Sequence, residues 1–168
     1  MTLLTACIFD TADGADDAVR RLMSSAPLMQ GLVDDAATLR WDDGTARPRI
    51  ERRVELASRN ALGDGFWALV LGLTLRVPLL GAAVGGAAGA KSGSLAAAGI
   101  DETFMNRLRD VVTPCRSALL AIGPRSASEL VAADLTGPQR PDTVSTEISD
   151  RQLAALREAF ATKPDGSP

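Results

Sequence analysis

The chain of 168 residues is about one ordinary domain, long enough to bury a real core, and its formal net charge of −3 argues against the basic excess that phosphate binding needs. Apolar residues make up 46% but aromatics only 4%, so the core must rest on close aliphatic packing. Histidine and tyrosine are absent, which removes imidazole-based triads, the usual zinc sites and any histidine general base.

Leu3 to Phe9 is a short apolar run that reads as a strand covered on both faces. The run lacks the basic start of a secretory signal and passes directly into an acidic stretch, Asp10 to Asp17, so the expected location is the cytoplasm or the inner face of a membrane. Cys7 and Cys115 are too few for a secreted disulfide framework. Both fall in apolar strand-like runs, where reduced thiols pack as small hydrophobes. Ala15, Ala18, Val19, Leu22 and Met23 keep helical spacing, with Asp16 and Asp17 in the first turn, and Pro27 closes this helix.

Leu32 to Trp41 reads as a second strand. Asp42-Asp43-Gly44-Thr45 is a turn signal, and a second extended arm from Arg47 to Val54 completes a hairpin. That outer arm carries Arg47, Arg49, Arg52 and Arg53, with Arg59 just beyond. The set could meet an anionic surface, or it could simply protect a solvated edge strand from aggregation.

From Ala61 the composition changes. Phe66 to Leu75 is apolar apart from Gly72 and Thr74; Arg76, Val77 and Pro78 interrupt it, and a second apolar run continues from Leu79 to Ala98. The pair reads as an antiparallel helical hairpin. On its second arm Gly81, Gly85, Gly89 and Gly93 recur every four positions, which would line one helix face with a shallow groove. Glycine costs about 1 kcal/mol per residue relative to alanine in a helix interior, so the ridge needs a packing reason; close helix contact supplies one.

Asp101 is a candidate N-cap for a helix carrying Phe104, Met105, Leu108 and Val112, stopped by Pro114. Ser117 to Ile122 is the next core strand. Ser126-Ala127-Ser128-Glu129 has capping-box spacing before a helix through Leu135, and Thr143 to Ile148 is a polar, alternating strand suited to a sheet edge. Ser149-Asp150-Arg151-Gln152 is a second capping box, opening a helix with Leu153, Leu156 and Phe160 on one face, and the tail after Thr162 has a disordered composition. Without the glycine-rich part the order is strand, helix, strand, then strand, helix, strand. The expected fold is α+β, a ferredoxin-like split βαβ sandwich with helices on one face of an antiparallel sheet and an inserted glycine-rich hairpin. Residues 1–55 form its first half, 56–99 the inserted hairpin, 100–162 the second half and 163–168 the tail.

Phe9-Asp10 before an acidic loop, the basic arm, Pro78-Leu79-Leu80-Gly81-Ala82-Ala83-Val84-Gly85 and the exit Gly99-Ile100-Asp101 together resemble a bacterial family of unknown function. Its members carry labels such as predicted membrane protein or stress-associated protein. The resemblance extends to about Phe160 and implies a glycine-zipper hairpin in a small α+β domain, with no activity assignable to particular residues.

Length bears on the membrane reading. Crossing about 30 Å of hydrocarbon takes about 20 mainly apolar residues. The charge-free stretch before Arg76 begins at Gly65 and the one after it ends at Ala90, so each arm falls short, and Arg76 and Lys91 would be costly at mid-bilayer. Asp10, Asp13, Asp16 and Asp17 lack the alternating ligands of an EF-hand and read as an acidic helix start. Gly81, Gly85 and Gly89 lack the strand-turn setting of a phosphate loop. Asp34-Asp35 and Asp42-Asp43 are neighbours whose side chains would point to opposite faces of a strand, so neither pair is a natural acid/base dyad. The expectation is therefore a non-enzymatic, homo-oligomerising protein, a stress-linked scaffold without cofactor, metal, nucleic acid or small-molecule substrate, whose glycine-faced helices drive self-association. The alternative is a peripheral or re-entrant membrane protein anchored by the same hairpin.

Overall fold

A computed structural model of the chain describes residues 2–25, 33–53, 56, 58, 66, 67, 70, 100, 102–134 and 141–160. Among them lie five strands and four helices: β1 (Thr2–Phe9), α1 (Gly14–Ser25), β2 (Asp35–Arg40), β3 (Arg49–Arg52), α2 (Glu102–Val111), β4 (Ser117–Pro124), α3 (Arg125–Asp134), β5 (Asp142–Ile148) and α4 (Asp150–Phe160). The strands form one sheet in the order β3-β2-β4-β1-β5, with every neighbouring pair antiparallel. β4 lies between β1 and β2, and β1 between β4 and β5, so each strand-helix-strand crossing leaves a gap that a strand of the other half fills. β3 extends the sheet beyond β2 as the outer arm of a hairpin.

All eight residues of β1 are buried, and their alternation divides the core in two. Leu4, Ala6 and Ile8 join Ala37 and Leu39 of β2 and Ala118, Leu120 and Ile122 of β4 on one face. Phe104, Leu108 and Val112 from α2 and its exit cover that face, together with Leu153 and Leu156 of α4. Cys7 and Phe9 point the other way, with Leu119, and meet Ala15, Ala18, Val19 and Leu22 of α1 and Ala127 and Val131 of α3. Helices therefore lie on both faces of the sheet. This corrects the expectation of a one-sided sandwich: the apolar spacing of α2 and α4 needs a surface to bury, and the second sheet face provides it.

Phe66, Trp67, Val70 and Ile100 belong to the same cluster as α2 and α4, all four at 2% exposure or less. Phe66 and Trp67 meet edge to face, with ring centroids 4.9 Å apart and planes at 70°. Of the predicted hairpin of residues 56–99, only Leu56, Ser58, Phe66, Trp67 and Val70 are described; residues 71–99 and the expected tail lie outside the described residues.

Local signals in the sequence act much as expected at the hairpin turn and at α4. Gly44 has a φ of +79°, the left-handed conformation that its turn requires. Thr45 Oγ1 donates to the Asp42 carbonyl at 2.7 Å, and Trp41 Nε1 donates to the Thr45 carbonyl at 3.0 Å. Ser149 and Gln152 form a reciprocal box: Ser149 N donates to Gln152 Oε1 at 2.8 Å, and Gln152 N donates to Ser149 Oγ at 3.2 Å. Two expectations fail. Ser126 lies inside α3, which starts at Arg125 directly after Pro124, so it does not cap that helix. Cys115 is exposed, not a core residue: it precedes β4 in a tight turn with φ +71°, where its N–H donates to the Trp41 carbonyl at 2.8 Å.

The two thiols are thereby separated chemically. Burial pushes Cys7 up to about 11, with a hydrogen bond to Thr143 opposing, whereas Cys115 is raised by desolvation and then by the Asp43 carboxylate beside it while staying accessible. A disulfide reagent applied to the native chain at neutral pH should modify one thiol, Cys115, and reach the second only in denaturant. Two equivalents released without denaturant would contradict the burial of Cys7.

Candidate functional site

The acidic loop after β1 and the basic arm of β3, separate in sequence, converge around α1. Ser117 at the start of β4 fixes the loop. Its buried hydroxyl donates to the Thr11 carbonyl at 2.7 Å and accepts from the Ala15 N–H at 2.9 Å, so a residue remote in sequence caps the first turn of α1. Gly14 is needed here because a Cβ at that position would lie 2.4 Å from Phe9 Cβ. With the turn fixed, Asp13 and Asp16 project toward the hairpin.

Arg40, the last residue of β2, donates from Nε to Asp42 at 2.7 Å, and its Nη1 pairs with Asp13 and, at 3.5 Å, with Asp16. The hydrogen bonds to Asp42 and then Asp13 hold this guanidinium still more firmly in its charged form. Arg53 pairs with Asp16 and, at 3.5 Å, with Glu51, and its Nε donates to Thr38 Oγ1 at 2.9 Å. Asp13, Asp16, Arg40, Glu51 and Arg53 line an open groove between α1 and the β2–β3 hairpin, along with Met23 and Ser24. The arrangement is an ionic clasp: Arg40 and Arg53, both of the hairpin, meet Asp16 of α1.

Asp35, fully buried at the start of β2, accepts from Arg52 Nε at 3.1 Å and from the Ala36 N–H at 2.9 Å. Its neighbour Asp34 turns to α4, where Arg157 Nη2 donates to its carboxylate at 3.3 Å. The paired carboxylates thus serve different elements. On the sheet face packed by α1 and α3, an apolar void of about 20 Å³ is lined by Leu22, Val33, Leu119 and Val131, about one water in size and without polar partners.

The structure disperses the predicted basic set. Arg47 and Arg49 are exposed at the hairpin, Arg52 turns to Asp35 and Arg53 to Asp16, while Arg59 lies outside the described residues. Gly81, Gly85, Gly89 and Gly93 also lie outside them. The sequence reading missed Arg40 and Ser117, and named Asp35 only as half of a rejected acid/base pair. Arg40 carried a usable signal, a lone cation ending an apolar strand in a chain whose acidic loop needed a partner; Ser117 carried none, since its role depends on register across β4.

Among the described residues no helix is long and apolar enough to cross a membrane, and no group of three or more cysteines and carboxylates could hold a metal ion. No curated protein and no solved structure matches the chain. A family model described as "Protein of unknown function (DUF1269)" matches residues 61–161, more than half of the chain, which therefore belongs to that family. The match begins beyond β3, so the first strands and the basic arm, counted in the resemblance from sequence, lie outside it.

Two measurements test the charge arrangement. Arg52→Ala leaves the buried Asp35 carboxylate without its guanidinium and should cost about 1.5–3 kcal/mol in urea unfolding; a loss below about 0.5 kcal/mol would show that the pair carries no weight. Asp34 is raised from its ordinary value of 3.8 by burial, with Arg157 opposing and Asp35 adding. A raised carboxyl favours the folded state when protonated, so its contribution is full below 3.8 and is lost as pH rises through the raised value. The stability of the parent relative to Asp34→Asn should fall over that interval, and a difference that rises with pH would refute the assignment.

Proposed function

We propose that this chain is a non-enzymatic, homo-oligomerising protein in which the α/β domain is a rigid base for the glycine-rich segment 71–99, and that segment makes the self-association contact. The observation that carries the reading is the rooting of the segment at both ends. Val70 before it and Ile100 after it are buried in one hydrophobic cluster, which also holds Phe66, Trp67, Phe104 and Leu108. A segment whose two ends are packed into one core is presented in a restricted place, and this lowers the entropy lost when it meets a second copy.

The strand order β5-β1-β4-β2, with two interleaved strand-helix-strand units, supports reading the core as ferredoxin-like, with β3 added at one edge and the 71–99 segment inserted between the halves. On this reading α2, α4 and the roots of the insert cover the sheet face that a simple two-layer sandwich would leave open. The spacing of Gly81, Gly85, Gly89 and Gly93 supports a helix whose bare face admits the backbone of another. The self-association contact then forms through van der Waals packing between small residues and requires no charged group.

Replacing Gly85 and Gly89 together with leucine should lower the mass of the purified chain by light scattering, and the alanine pair should lower it less. An unchanged mass for the leucine pair would reject the glycine face as the contact. Flotation with anionic vesicles separates the membrane alternative: the parent should stay in the unbound fraction, and co-flotation that the leucine pair abolishes would replace the oligomer reading with a lipid-anchored one.

A further inference from the structure

The two edges of the sheet are built differently, and the difference points to a second contact between copies. β3 is four residues long, and three of the four, Arg49, Glu51 and Arg52, are charged. β5 is seven residues long, reads Asp-Thr-Val-Ser-Thr-Glu-Ile, and contains no proline, lysine or arginine. Short length and basic side chains are the means by which a sheet edge is kept from pairing with another chain; β3 has both and β5 has neither. β5 bonds to β1 along one side, and no described strand lies on the other.

A second copy of the chain is an occupant whose charges β5 accepts. In an antiparallel pair of β3 strands about their midpoint, Arg49 would face Arg52 of the second copy, a like-charge pair. In an antiparallel pair of β5 strands about Ser145, Thr143 faces Glu147, Val144 faces Thr146 and Asp142 faces Ile148, so no like charges meet. Thr143, Ser145 and Glu147 are exposed, and Glu147 is held by Arg125 of α3, while the strand's other carboxylate, Asp142, stands at its first position. We propose that β5 pairs antiparallel with β5 of a second copy, joining two five-stranded sheets into one across a two-fold axis at Ser145. This contact lies on the opposite side of β1 from β4, is made by backbone hydrogen bonds, and does not depend on the glycine-rich segment.

The two-fold places residue 145 opposite itself, so one exposed position reports the contact. In a Cys115→Ser background, which removes the accessible thiol, Ser145→Cys should convert most of the chain to a disulfide-linked dimer under mild oxidation, while Thr103→Cys, at an exposed position of α2, should give at least five-fold less. Ser145→Lys sets two ammonium groups face to face, and Ser145→Thr is the conservative control. Combined with Gly85→Leu and Gly89→Leu, the threonine variant should remain at dimer mass and the lysine variant should fall two-fold to monomer. Failure of Ser145→Cys to cross-link beyond the Thr103→Cys control, or a mass unaffected by Ser145→Lys, would overturn the proposal. Because the cross-link does not require the glycine face, it can succeed where the glycine substitutions fail, and the reverse.

Discussion

Burial of β1 on both faces is the constraint from which the remaining architecture follows. A strand with every residue buried needs a paired strand on each side and an apolar layer above and below, or its backbone and side chains would meet water at a cost that neither hydrogen bonding nor propensity recovers. β4 and β5 supply the pairs. α1 and α3 supply one layer; α2, α4 and the buried Phe66, Trp67, Val70 and Ile100 supply the other. The glycine-rich segment is therefore not appended to a finished domain: its roots are part of the cover that completes the core.

The polar chemistry complements that plan at one corner. α1 packs on the sheet through Ala15, Ala18, Val19 and Leu22. Ser117 ties its first turn to β4, and Arg40 and Arg53 tie its acidic flank to the hairpin. Individually such exposed or half-exposed pairs contribute little. Their value here is geometric, since Arg40 joins Asp13, Asp16 and Asp42 from two separate elements and so sets the position of the hairpin relative to the helix.

Much of the fold was legible where periodicity and local chemistry agree. The alternation of β5, the Ser149-Gln152 box and the Asp42–Thr45 turn are local patterns with local causes, and each sits in the structure close to where the residues place it. What sequence reading could not reach depended on register between distant strands. Ser117 caps α1 only because β4 lies beside β1 with Ser117 opposite Phe9. Arg52 and Arg53 looked like an outward basic arm, yet β2 carries Asp35 and Thr38 to them, and the two guanidiniums turn inward. Cys115 looked like a core residue because the apolar run after it is a strand, but the tight turn between α2 and β4 ends one residue beyond it.

Self-association through the glycine segment and through β5 would use different physics and different parts of the molecule. Backbone pairing at a strand edge is directional, fixes a two-fold and closes after one partner. Contact between helices with bare faces is short-ranged and depends on close packing, and, were the proposed contact repeated on both copies of a β5-paired dimer, it would leave one such contact on each copy for a further partner. The core connects the two, because β5 packs on β1 while the segment's roots pack on the same sheet through Phe66, Trp67 and Ile100. An assembly built from both contacts would grow by adding dimers, with the ionic clasp of α1 on the opposite sheet face left free of either interface.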